Sequence, residues 1–163
     1  MKAALDLPEA HTRALKVLLE RIPPEEVLWA LTGSAGLRLQ GLDLPVHDLD
    51  LQCEGEAVYL IERRLAEFVK TPVHLWETAQ MRSLDGKAEV EGIQVELLAN
   101  IAHLLPDGTW SGFTDFSRLV WLDWSGYRVP VFPLADEAEA YASMGRLEKA
   151  ARIRAFLASL PPS

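Results

Sequence analysis

The chain has 163 residues, 49% of them hydrophobic and 25% charged, with a formal net charge of −8. This balance supports a packed core and excludes a disordered chain, and no apolar run approaches the ~20 residues that cross a bilayer. An acidic chain has no general attraction for nucleic acid or anionic membrane, because phosphate binding runs on Lys and Arg; a small-molecule or protein substrate is expected, with RNA left open to a local basic patch.

Charged and polar residues stand early, at Asp6, Glu9 and His11, and no apolar leader segment follows. The one cysteine, Cys53, cannot form an internal disulfide. Together these point to a cytoplasmic protein. A single domain over residues 1–163 is expected.

Residues 9–21 carry Ala14, Leu15, Leu18 and Leu19 at helical spacing, and Pro23 and Pro24 end that helix. Residues 27–32 form a short apolar run of strand length. Gly33 and Ser34 break it, and residues 35–40 read as a helix with Ser34 at its N-cap. A loop with Pro45 leads into residues 48–53, where Leu49 and Leu51 alternate with Asp48 and Asp50 as in a strand. Residues 58–70 read as an amphipathic helix and 73–76 as a short strand. Residues 81–90 and 93–98 form a hairpin around Glu91 and Gly92. A polar loop, 107–115, surrounds Trp110. A second hairpin, 119–124 and 127–132, turns on Ser125 and Gly126. Two helices, 134–144 and 147–160, close the chain before the Pro-Pro-Ser tail. The order predicts an α+β fold with a mixed sheet and C-terminal helices.

The segment from Leu31 to Cys53 carries the chemistry. A glycine lets backbone approach a ligand closely, and a helix start offers free N–H groups and a positive dipole to a phosphate. Gly33 and Ser34 combine these features, and Ser34 adds a hydroxyl. Taken alone, the turn is more often a plain helix cap. Asp48 and Asp50 fall on one face of their strand. Two carboxylates on one face repel each other, and a hard divalent cation such as Mg²⁺ relieves that repulsion while holding substrate phosphates. Glu96, on the strand at 93–98, is a third carboxylate that reaches the same centre if its strand lies beside that of Asp48. There it is a metal ligand or takes a proton from an attacking hydroxyl.

Gly33-Ser34, Asp48-x-Asp50 and Glu96 together resemble the signature of the nucleotidyltransferase superfamily, the polymerase-beta-like fold. The chain is most similar to its small antibiotic-resistance-type and toxin–antitoxin-type domains. The resemblance spans roughly residues 28–157. It includes a strand ending in Pro, a helix, and an Arg-x-x-Lys segment that Arg146 and Lys149 match. It implies a nucleoside triphosphate, ATP first among candidates, bound through Gly33, Ser34, Arg146 and Lys149. It also implies two Mg²⁺ ions on Asp48, Asp50 and Glu96, and an acceptor hydroxyl of unassigned identity attacking the alpha phosphorus.

Other residues carry weaker signals. Arg146, Lys149 and Arg152 recur every third residue and either reach a triphosphate or pair with Glu137, Glu139 and Glu148. Arg82 and Lys87 precede Glu96 on the hairpin. His47 borders Asp48. His74 and His103 lack ligand-like spacing with Cys53, which argues against zinc. Trp110 is the better candidate for stacking on a base; Trp121 and Trp124 read as packing residues.

The helix after the Pro strand offers Asp136, Glu137, Glu139 and Tyr141 where many resistance-type relatives carry a lysine. This leaves a second reading open: a catalytically inactive binding module of the same fold, such as a toxin–antitoxin component. A D-x-D glycosyltransferase is a third, weaker reading. A homodimer or protein partner that completes the acceptor side is a further expectation. Glu96 on a strand adjacent to Asp48 and facing the same cleft favours the enzyme; Glu96 on the opposite face removes the three-carboxylate site.

Overall fold

The computed structural model describes residues 1–162; Ser163, at the end of the tail, lies outside them. Helix α1 (Glu9–Arg21) leads to strand β1 (Trp29–Thr32), helix α2 (Gly33–Leu39), strand β2 (Leu49–Cys53) and helix α3 (Ala57–Arg64). A 3₁₀ turn (Ala66–Phe68) precedes strands β3 (Val69–Glu77), β4 (Met81–Val90) and β5 (Ile93–His103). The hairpin β6 (Val120–Trp124) and β7 (Tyr127–Val131) and helices α4 (Leu134–Ser143) and α5 (Leu147–Ser159) complete the α+β fold. The strands form one seven-stranded sheet in the order β3-β4-β5-β2-β1-β7-β6. The β2–β5 and β1–β7 pairs are parallel and the others antiparallel, so the sheet is mixed as expected.

The register sorts the side chains. Leu31 faces Leu51, Leu49 pairs with Val95 and Leu51 with Leu97. These residues are buried in one cluster with Leu15 and Leu18 of α1 and Val58 and Ile61 of α3. Full burial of each such side chain contributes roughly 1.5–3 kcal/mol. A second cluster joins Leu37 of α2, Leu42 and Leu44 of the following loop, and Leu134, Ala138, Tyr141, Ala150 and Ile153 of the α4–α5 hairpin. These apolar contacts dock α4 and α5 beside α2. Among the described residues, no helix is long and apolar enough to cross a membrane.

Several expected boundaries move. Helix α2 starts at Gly33, and its N-cap is Thr32, not Ser34. Ser34 Oγ instead accepts the His47 N–H at 3.1 Å, tying the loop to the helix. The helix expected over 58–70 stops at Arg64, and Val69 already opens β3. Leu65 is the C-cap of that helix, and the 3₁₀ turn at Ala66–Phe68 carries the chain into the edge strand. Strand β3 is longer than expected because it is a largely exposed edge strand without a buried face to impose alternation. Strand β5 continues past Leu98 to His103. Asn100 sits there at φ 53°, where the β4–β5 register shifts, and such an irregularity breaks the period-two pattern.

Trp29 anchors β1. It is fully buried, and its indole N–H donates to the Ile22 carbonyl at 2.7 Å, closing the α1–β1 connection. Trp29→Phe leaves that carbonyl without its donor and loses packing volume. It is expected to lower the unfolding free energy by about 1–3 kcal/mol, read as a lower urea midpoint at unchanged slope.

Candidate functional site

The sheet face opposite the main core carries the polar residues. Asp50 pairs in register with Thr32 on β1 and with Glu96 on β5. Glu96 in turn lies opposite Lys87 on β4, and Asp85 lies two residues away on the same face of that strand. Asp48 sits just before β2 and accepts a hydrogen bond from Gln94 Nε2 at 2.8 Å. One carboxylate oxygen each from Asp48, Asp50 and Glu96 lies within 4.8 Å of the others. Glu96 is therefore on the strand adjacent to β2 and faces the same cleft. Oxygen-only donors at this spacing suit a hard divalent cation.

The turn between β1 and α2 forms the second wall. Gly33 adopts φ 66°, and a Cβ there would fall 2.2 Å from Asp50 Oδ2. Only glycine permits both the left-handed backbone and this approach of the turn to the carboxylate. Ser34 follows at the mouth of the cleft, with Gly33, His47, Asp48, Asp50 and Glu96.

The third wall comes from the C-terminal helices. Tyr141, Arg146 and Lys149 line the same cleft. The Arg146 guanidinium lies 5.1 Å and the Lys149 ammonium 5.2 Å from the Tyr141 ring centroid, within cation–π range. Among the described residues, neither cation has an ion-pair partner. Glu139 is engaged by Arg154 at 3.7 Å instead. Arg152 points elsewhere, its guanidinium donating to the Asp43 carbonyl at 2.7 Å.

Glu137, one helical turn before Tyr141, is a site residue that the sequence offered only as an ion-pair partner for Arg146, Lys149 and Arg152. It is only 6% exposed, and both its oxygens accept from Thr32 Oγ1, at 2.8 and 3.0 Å. Asp85, Gln94, Thr32 and Tyr141 were not singled out as site residues either. The alternation of Asp85 and Lys87 was a usable signal for the first, but its meaning depends on the β4–β5 register. The other candidates separate from the cleft. Arg82 stacks over Trp110 at 4.1 Å, beside Ala102, six residues along β5 from Glu96 and so roughly 20 Å away at ~3.3 Å per residue. That removes Trp110 as a base-stacking residue at this site. Trp124 is buried in the main core, and the Arg128 guanidinium lies over Trp121.

Burial and mutual repulsion dominate the electrostatics. Burial, then Asp48 and Asp85, push Asp50 up to about 6, against the pull of Lys149. Burial, then a hydrogen bond with Asp85 and the charges of Asp85 and Asp50, push Glu96 up to about 7, with Lys87 opposing. Glu137 is likewise raised to about 7, first by burial. Lys149 is lowered by burial and by Arg146 and Arg152, while Asp50 and Glu137 oppose that shift. These three carboxyls hold protons more tightly in the folded chain than in the unfolded one. The folded state therefore binds more protons between about 4.5 and about 7, and its stability falls as pH rises through that window. The metal-free protein is expected to show a falling thermal midpoint over that range, with a shallower fall in the Asp50→Asn/Glu96→Gln variant. A flat wild-type profile contradicts this electrostatic account.

Residues 14–155 match the sequence profile of the aminoglycoside-2''-adenylyltransferase family. The crystal structure of a putative nucleotidyltransferase from Thermotoga maritima superposes with a TM-score of 0.83 at 34% identity, over 96% of this chain and 98% of that one. The lincosamide antibiotic adenylyltransferase LnuA, solved with lincomycin bound, shares the fold with a TM-score of 0.56 at 13% identity, over 91% of this chain and 99% of that one. No curated protein matches the chain. The profile match over most of the chain, on a fold shared with solved nucleotidyltransferases, shows that this chain belongs to the aminoglycoside-2''-adenylyltransferase family of the nucleotidyltransferase superfamily.

Proposed function

We propose that the protein is a divalent-metal-dependent enzyme that moves a nucleoside monophosphate from a nucleoside triphosphate, ATP first, to a hydroxyl group of a small acceptor. The observation that carries this reading is the meeting of three carboxylates, a glycine-serine turn and two unpaired cations in one cleft. Carboxylates alone would suit many sites. Cations opposite them, across a turn that only glycine can form, suit a metal–triphosphate complex.

Asp48, Asp50 and Glu96 would hold Mg²⁺, which supplies charge neutralisation at the reacting phosphate and its attacking and leaving oxygens. Gln94 fixes the Asp48 carboxylate through its amide N–H. Ser34 Oγ accepts from His47 N–H and retains its own proton to donate to a phosphate oxygen. Arg146 and Lys149, resting on Tyr141, attract the triphosphate and offset its charge. Glu96 lies beside Asp50 on the next strand and completes the carboxylate set; it is also the residue placed to accept the proton of the acceptor hydroxyl. The contribution of the chain is mainly to bring these charges together before reaction.

The inactive-module reading drew on the lack of a lysine in α4. Lys149 bears on that point: it reaches over Tyr141 from α5 and puts an ammonium near Asp50. A lysine in α4 is therefore not required for a cation in the cleft.

Calorimetric titration of ATP and the other triphosphates, with and without Mg²⁺, tests the proposal. Wild type is expected to bind in a Mg²⁺-dependent way, and Asp48→Ala/Asp50→Ala to lose at least ~100-fold in affinity, about 2.7 kcal/mol. Failure of every triphosphate to bind wild type would return the chain to the non-catalytic reading. Metal-dependent binding justifies a screen of hydroxyl acceptors.

A further inference from the structure

Glu137 is out of place on simple grounds. Among the described residues it is the one acidic or basic side chain so fully removed from water, at 6% exposure. It also sits beside an acidic cleft. Burying a carboxylate there is unfavourable unless it is hydrogen-bonded, and an apolar side chain would fill the same space at less cost. Its partners are specific. Both oxygens accept from Thr32 Oγ1. Thr32 and Gly33 are the last residue of β1 and the first of α2. A side chain more than a hundred positions later in the chain, on α4, thus holds the residue that enters the turn.

The turn is tight. Gly33 is left-handed, and the space where its Cβ would lie is already within 2.2 Å of Asp50 Oδ2. Helix α2 has no side-chain cap of its own, since Thr32 at the N-cap makes no capping hydrogen bond and turns its hydroxyl to Glu137 instead. Tyr141, four residues on, carries Arg146 and Lys149 on its ring. Helix α4 therefore links the turn at one position and the cations at the next.

We propose that Glu137 is a positioning residue: its carboxyl group clamps Thr32 so that the β1–α2 turn that follows presents Ser34 to the triphosphate, in register with Arg146 and Lys149. The ligand half of this proposal rests on the nucleotidyltransferase reading; the clamp itself does not.

Amide hydrogen exchange and calorimetry on wild type, Glu137→Ala, Glu137→Gln and Thr32→Val separate the two. In Glu137→Ala, the Gly33 and Ser34 amides are expected to exchange at least ~10-fold faster, while the Leu31 and Leu51 amides of the sheet stay protected. Affinity for Mg²⁺–ATP is expected to fall ~10-fold, with Mn²⁺ alone binding within about threefold of wild type. Glu137→Gln keeps an oxygen that accepts from the Thr32 hydroxyl, so it is expected to restore both readouts; Thr32→Val falls between. Unchanged exchange at Gly33 and Ser34 in Glu137→Ala would overturn the clamp. Faster exchange throughout the sheet would reduce Glu137 to general stability and overturn it too. Faster local exchange with unaltered Mg²⁺–ATP affinity would overturn its role towards the ligand. If wild type binds no triphosphate, the nucleotidyltransferase reading and the ligand half fail together, while the exchange measurements still decide the clamp.

Discussion

The parallel pairing of β2 with β5 is the constraint on which the rest depends. It places Leu49 against Val95 and Leu51 against Leu97 on the core side, and Asp50 against Glu96 on the other. The two consequences cannot be separated, because strand side chains alternate with a period of two. A slip of one residue would bury carboxylates among the leucines of α1 and expose the core. The apolar face thus holds the acidic face in register. Carboxylates that repel each other are kept together by packing energy contributed from the far side of the sheet.

That arrangement leaves an unfavourable concentration of negative charge, visible in the raised proton affinities of Asp50 and Glu96. The fold answers it only in part. Lys87 stands across β4 from Glu96, and Lys149 reaches in from α5. Arg146 and Lys149 rest on the Tyr141 ring and not on carboxylates, so their charge remains available to an anion. A cleft with oxygen donors on one wall and free cations on the other suits the cation–polyphosphate pair proposed for it. This complementarity accords with the chemistry of the family to which the chain belongs.

Much of this was legible in the sequence. The alternation of Asp48, Leu49, Asp50 and Leu51, and of Val95, Glu96 and Leu97, states which residues share a face whatever their partners are. The break at Gly33-Ser34 after an apolar run marks the turn. Its details were not legible. Ser34 reads as a cap because caps are recognised by residue type, yet its oxygen is taken by the His47 N–H and the N-cap position is Thr32. Glu137 sits among Asp136 and Glu139 in an acidic stretch, and nothing local distinguishes the buried carboxylate from its exposed neighbours. Trp110 failed as a stacking residue for a related reason: a loop position says nothing about distance from a cleft.

The sequence by itself determined the local facts: which segments form strands and helices, which face of each is apolar, and which strands carry carboxylates. Periodicity and turn chemistry act over a few residues, so they can be read along the chain. Only the tertiary structure decided the meetings. It put β5 beside β2, set Asp85 and Lys87 around Glu96, seated Glu137 under a turn more than a hundred residues earlier, and laid Lys149 over Tyr141 to face Asp50. These contacts are fixed by strand order, register and the docking of α4 and α5 through the second apolar cluster. They are properties of how the elements pack, and the periodicity of a single segment does not contain them.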